Sequence, residues 1–238
     1  MKTTFHKADT RGVADHGWLN SRHTFSFAGY SHPDRMGFGT LRVINDDIVQ
    51  PGMGFGRHPH ENMEIISIPV TGQLRHQDSM GNIQNIKAGE VQIMSAGTGI
   101  THSEYNGSDA EIVNFLQIWV LPKQQDIDPH YGQQLFSCDD RNNRFQEVVS
   151  PDKAGNSDAI WINQDAWFSR GDFDAGISGS YSIKRPGNGA YFFVIDGALT
   201  IAGEQLERRD GIGIEDTDTI DFSVTEDCQL LVMDVPMQ

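Results

Sequence analysis

Two clusters of side chains with ligand chemistry stand about forty residues apart: the run His58-Pro59-His60-Glu61-Asn62-Met63-Glu64 and the run His102-Ser103-Glu104-Tyr105-Asn106. Neutral imidazole is the commonest metal-ligand side chain, and a carboxylate nearby adds charge and a second kind of donor. In an extended strand residues i and i+2 point to the same side. His58, His60 and Glu64 are therefore expected on one face, and His102 and Glu104 on another. Two such strands, each facing inward in a small barrel, would gather imidazoles and a carboxylate round one point, which is a metal site. Parity alone does not choose between Glu64 and Glu104 as the carboxylate.

All nine histidines fall within the first 130 residues, so this chemistry belongs to the front half of the chain. His76 is expected to be packed or solvent-facing rather than to orient a ligand. His6, His16, His32 and His130 lie in terminal or turn-rich contexts and are expected at the surface. Phe38, Phe55, Phe115 and Trp119 are read first as core residues, with a pocket wall as the other use.

The elements that must position these residues are strands. Leu41-Arg42-Val43-Ile44 precedes a Pro51-Gly52 turn, and Met63 to Val70 runs to Thr71-Gly72 with Gln73 to Gln77 as its return. Ser79-Met80-Gly81-Asn82 is a hairpin signal, because glycine and asparagine accept positive φ. Glu111 to Leu121 is apolar on both faces, as a strand buried between two sheets requires, and Pro122 ends it. Residues 123–158 are polar and turn-rich, which places the connection between two domains there. The expected division is 1–125 for the metal-binding unit and 126–238 for a second unit that includes the connection.

With 238 residues, 37% hydrophobic, 21% charged and 25 glycines, the chain has the composition of a globular protein built from short strands and tight turns. A formal charge of −15 repels phosphate backbones, which argues against direct nucleic-acid binding. No apolar run reaches membrane-span length, and the N-terminus lacks the apolar segment of a secretory signal. Cys138 and Cys228 are ninety positions apart and read as free thiols, so a cytoplasmic location is expected.

The second half repeats the first. Tyr191 to Ile201 has the strand–glycine–strand form of Ile65 to His76, and Leu230 to Pro236 resembles Leu116 to Pro122. Matching Gly197 to Gly72 sets Ile183 and Arg185 against His58 and His60, and Gly189 against Glu64. Matching Gly211 to Gly89 sets Val224 against His102 and Glu226 against Glu104. A scaffold that needed the histidines for folding would keep them in both copies, so the front set is assigned to function.

Gly52, His58, His60, Glu64 and Gly72 resemble the first motif of the cupin superfamily, G-x5-H-x-H-x3-E followed by a glycine, with the last glycine one residue late. Gly89, Gly97, His102 and Asn106 follow its second motif, with Ser95 in place of the proline and two extra residues before His102. Those departures, together with His23-Thr24-Phe25-Ser26-Phe27, Gln77 to Asn82 and Met94 to Glu104, resemble the pirin family, nearest to its bacterial quercetinases. The resemblance spans the chain. It implies an all-β bicupin, two double-stranded β-helix (jelly-roll) barrels packed together, with a single divalent metal in the front barrel held by His58, His60, His102 and Glu104. The rear barrel would hold none.

Iron(II) is the implied metal, although copper, nickel, cobalt, manganese and zinc suit the same donors. The implied activity is a flavonol 2,3-dioxygenase that opens the heterocycle of quercetin with dioxygen and releases carbon monoxide, with Glu104 as ligand and general base. Glu64 would then be a partner of the ligands or of a salt bridge. The same motifs also serve a second class, a redox-sensing regulator that binds other proteins without turnover.

Overall fold

The computed structural model describes residues 1–153 and 158–237; residues 154–157, inside the expected connection, and residue 238 lie outside the described residues. Among the described residues the only helical turns are two short 3-10 segments, Ala8–Thr10 and Cys138–Arg141. The rest is strand and turn, and no helix is long and apolar enough to cross a membrane. Three sheets result, and they form two cupin barrels packed back to back.

The front barrel closes a four-stranded sheet over a seven-stranded one. The small sheet runs Gly54–His60, Ile100–Asn106, Gln73–Asp78, Ile83–Lys87. The large one runs His130–Leu135, Glu90–Ser95, Glu64–Thr71, Val113–Val120, Leu41–Val49, Leu19–His23, Gly12–Asp15. The rear barrel is built on a nine-stranded sheet centred on the long strands Asn188–Ile201 and Thr219–Pro236.

Alternation explains how one strand serves two cores. Along Val113–Val120, Val113 and Phe115 pack inside the front barrel, whereas Leu116, Ile118 and Val120 face the rear sheet. Ile66 and Ile68 from Glu64–Thr71, and Val91 and Ile93 from Glu90–Ser95, point the same way. They meet Phe168, Tyr191, Phe193, Leu231, Met233 and Val235 of the nine-stranded sheet. The broadest apolar cluster is thus the seam between barrels, not the interior of either. Burying an aliphatic or aromatic side chain contributes about 1.5–3 kcal/mol, so this seam is the main attachment between the halves.

The strand–glycine–strand duplication has a physical cause at both glycines. Gly72 has φ +74° and Gly197 φ +83°, a region that side chains with a Cβ avoid. At each, a Cβ would run into the backbone of a returning strand, at Ile112–Val113 in front and Asp227–Cys228 behind.

The borders between the units differ from a simple cut at 125/126. His130–Leu135 pairs with Glu90–Ser95 and so extends the front sheet, and only Phe145–Ser150 joins the rear one. The first strand, Lys2–His6, crosses over to pair with Gly211–Glu215 of the rear sheet. That crossing overturns the surface assignment of His6: it is buried, and its Nδ1 lies 2.8 Å from the Tyr191 hydroxyl in the seam. His16, His32 and His130 are exposed, and Cys138 and Cys228 are free thiols.

Candidate metal centre

His58 and His60 sit on Gly54–His60, the edge strand of the small sheet, and His102 and Glu104 on its neighbour Ile100–Asn106. The antiparallel register sets His102 directly opposite His58. On Ile100–Asn106 the residues Ile100, His102, Glu104 and Asn106 are buried and their alternates are not, so both candidate ligands point into the barrel. The three imidazoles meet: ring centroids are 4.4 Å apart for His58 and His102, and 4.9 Å for His60 with either partner. One ring nitrogen from each lies within 4.8 Å of the others.

The tautomer of His58 follows from its surroundings. Its Nδ1 is 2.8 Å from the Gly56 carbonyl, which only accepts, so Nδ1 carries the proton and Nε2 presents a lone pair. His102 is fully buried, yet neither of its ring nitrogens has a partner. Burial and the nearby His58 and His76 rings depress its pKa to about 3, and burial with His102 and His58 depresses that of His60 to about 4. Both rings are therefore neutral near pH 7, the state a metal ion requires.

Glu104 stands slightly apart. Its carboxylate joins His102 and His76 in a second group with ligand atoms within 4.8 Å, rather than the His58 and His60 set. Gln117 Nε2 donates to its Oε2 at 2.6 Å. The Ser67 hydroxyl lies 3.0 Å from Glu104 Oε1 and 2.9 Å from Gln117 Oε1, and its one proton serves either. Ser67 and Gln117 were not singled out from sequence. Their signal is a polar residue at an inward position of an otherwise apolar strand.

Glu64 is not with the histidines, which corrects the shared face expected for His58, His60 and Glu64. Asn62, at φ +49°, turns the chain between the two strands, so His60 ends a strand of the small sheet and Glu64 begins one in the large sheet. Glu64 falls in phase with Ile66 and Ile68 and faces the rear barrel. There its Oε2 accepts from Ser95 Oγ at 2.7 Å and from the Asn163 amide at 3.2 Å. Its partners are therefore neither metal ligands nor a cation; it ties the two barrels together.

His76 is packed, as one of its expected readings had it, and it stands close to the candidate ligands. It is fully buried, opposite Glu104 in register, and its ring is 5.4 Å from that of His102. Of the four aromatics, Trp119 lies against His60 at 5.0 Å, edge to face. Phe115 and Phe38 belong to the core, and Phe55 packs beside Trp18. A cavity of about 400 Å³ opens beside His60, lined by Pro59, Glu61, Ser79, Gly99, Ile100 and Thr101. A larger groove of about 1030 Å³ runs between the barrels past Lys123, Asp165 and Arg185, and shares no lining residue with it.

A bicupin with an imidazole cluster in the front barrel alone defines a class, and comparison with known proteins narrows it. The pirin family model matches residues 4–120, and that of the quercetinase C-terminal cupin domain matches residues 147–235. A quercetin 2,3-dioxygenase of Escherichia coli (strain K12) is 43% identical over 230 residues, 97% of each chain. A pirin-like protein of Caulobacter vibrioides is 40% identical over 226 residues, covering 95% of this chain and 96% of its own. The crystal structure of the bacterial pirin YhhW from Escherichia coli in complex with nickel(II) superposes with a TM-score of 0.93 at 41% identity, covering 99% of both chains. The chain belongs to the pirin family.

Proposed function

We propose that this pirin is a metal-dependent flavonol 2,3-dioxygenase. The observation that carries the reading is the meeting of His58, His60 and His102, from two paired strands, beside an open cavity and within 4.8 Å of one another. The residues fit a metal ion: His102 has two unpartnered nitrogens in a fully buried side chain, an arrangement that is costly unless something takes a lone pair. His58, His60 and His102 would hold the ion, and Glu104 would supply the carboxylate. When bound, a divalent ion would act as a Lewis acid that stabilises the deprotonated flavonol oxygen. The resemblance implies iron; nickel is the metal named for the Escherichia coli structure.

The chain's own residues account for the rest. Gly56 fixes the His58 tautomer. Gln117 and Ser67 orient the Glu104 carboxylate as an acceptor, and it takes the proton of the flavonol 3-hydroxyl. Trp119 and Ile100 give the neighbourhood of His60 an apolar wall suited to a flat, uncharged ring system. Ring opening consumes one dioxygen and yields one carbon monoxide and the depside. A cytoplasmic location belongs to this proposal and rests on the two free thiols.

The test pairs elemental analysis of protein purified without added metal with oxygen uptake and carbon monoxide release on quercetin. Metal-loaded protein is expected to turn over, and His102→Ala to lose both metal and turnover. Metal-loaded protein inert towards several flavonols would reject the dioxygenase reading while leaving the metal centre in place.

A further inference from the structure

Beside the three-histidine set lies a pair that the proposed reaction does not use. His76 Nε2 is 3.0 Å from Asp78 Oδ2, and both side chains are fully buried. The Asp78 carboxylate also accepts from the backbone amides of Met80 and Asn82 and from Asn82 Nδ2, so it is an acceptor held in place by its own hairpin. His76 must therefore carry its proton on Nε2, which leaves a bare lone pair on Nδ1. That Nδ1 is buried and has no partner.

His102 offers the complement. Its ring lies between two neighbours, with His58 at 4.4 Å and His76 at 5.4 Å between centroids, and neither of its nitrogens is committed. A neutral imidazole carries one proton and one lone pair. To present the lone pair towards His58 and His60, His102 must send its N–H elsewhere, and a buried N–H needs an acceptor. The ring torsion that would bring that N–H onto His76 Nδ1 is a soft one.

We propose that His76 is a positioning residue of the metal centre: its Nδ1 accepts the proton on the far ring nitrogen of His102, and Asp78 locks His76 in the tautomer that makes this possible. The chain Asp78–His76–His102 leaves one His102 nitrogen bare towards His58 and His60. The inference rests on the metal-centre reading above. It extends the usual carboxylate–histidine–metal support by one imidazole, and such supports change metal affinity about 10–100-fold.

Two measurements test it. Nickel(II) affinity, by competition with a chelator, is expected to fall about 10–100-fold in His76→Leu with one ion still bound. His76→Gln, whose amide oxygen accepts, should recover part of the loss. Affinity of His76→Leu within about twofold of wild type would overturn the proposal. Wild-type protein that binds no nickel would sink the metal centre itself, a distinguishable failure.

Because His76→Leu empties a buried position, the second measurement uses unaltered protein. Long-range proton–nitrogen NMR of histidine-labelled, zinc-loaded chain is expected to show His76 protonated on Nε2 and bare on Nδ1, and His102 with one protonated and one zinc-shifted nitrogen. A proton on His76 Nδ1, or a zinc-shifted His76 Nδ1, would overturn the assignment.

Discussion

Inside the rear barrel, Phe173, Tyr181 and Phe222 crowd round Phe145 edge to face, and Leu199, Ile212, Val224 and Leu230 fill the remainder. Inside the front barrel the corresponding volume is divided. One end holds a small apolar cluster of Leu19, Val49, Leu74, Ile86, Val113 and Phe115. The other holds His76, His102, Glu104, Ser67 and Gln117, all buried; Ser67, Gln117 and Glu104 are linked by hydrogen bonds, whereas His102 has no partner. Val224, matched to His102, is core, and Ile183, matched to His58, packs against it. The same strand arrangement tolerates either filling. Burying polar groups is costly without partners, so the front barrel keeps its unpartnered nitrogens for a reason that folding does not supply.

The comparison can be broken or sharpened in four ways, in falling order of effect. Phe222→Ala should lower stability by about 3–5 kcal/mol in urea unfolding, because it opens a hole in the rear aromatic cluster. His102→Val copies the rear residue into the front barrel. It should weaken metal affinity by at least about a hundredfold while leaving urea stability of the metal-free chain nearly unchanged or higher, since an unpartnered polar ring is removed. A large stability loss instead would mean that the front polar set is structural.

Glu104→Gln and Glu64→Gln form a contrast within the front barrel. The first should lower metal affinity about tenfold or more. The second should leave it unchanged and lower stability by about 1 kcal/mol through its bonds to Ser95 and Asn163. Equal losses of metal in both would undo the division between centre and seam.

The fourth concerns the seam and pH. Burial depresses the His6 pKa to about 4, with Arg35 and His32 adding to the effect, below an unfolded value near 6.5. The unfolded chain therefore binds the proton first. The stability due to neutral His6 is full above about pH 6.5 and is lost as pH falls through the folded value. The slope is at most about 1.4 kcal/mol per pH unit. His6→Gln should flatten the difference between unfolding at pH 7 and pH 5. His60 and His102 shift the same way, but they are present in both proteins and cancel in the comparison.

Much of this was legible from residue order. His58, His60 and His102 stood out because few side chains bind metals and strand parity says which of them can converge. The seam was visible in Glu111 to Leu121, where both phases are apolar, and the duplication in Gly72 and Gly197, where backbone approach forbids a side chain. Glu64 was misplaced because one residue at positive φ, Asn62, moves the chain from one sheet to the other, and asparagine alone does not announce such a turn. His76 was read as ordinary because its significance depends on Asp78 and on register with Glu104. Ser67 and Gln117 looked like interruptions of apolar runs; only the closed barrel shows that they face a carboxylate. His6 needed the crossing of the first strand, a long-range pairing that no local pattern encodes.

The apolar seam makes neither barrel a detachable part. Residues 1–135 produced alone would turn Ile66, Ile68, Leu116 and Ile118 to water, a sheet face of the kind that drives association. The histidine-free half thus acts as a backing plate, without which the seven-stranded sheet that the ligand-bearing sheet closes over has no dry outer face. Mechanical continuity has a thermodynamic counterpart: an ion captured at one end should raise the melting temperature of the whole chain, far barrel included, because both halves let go together.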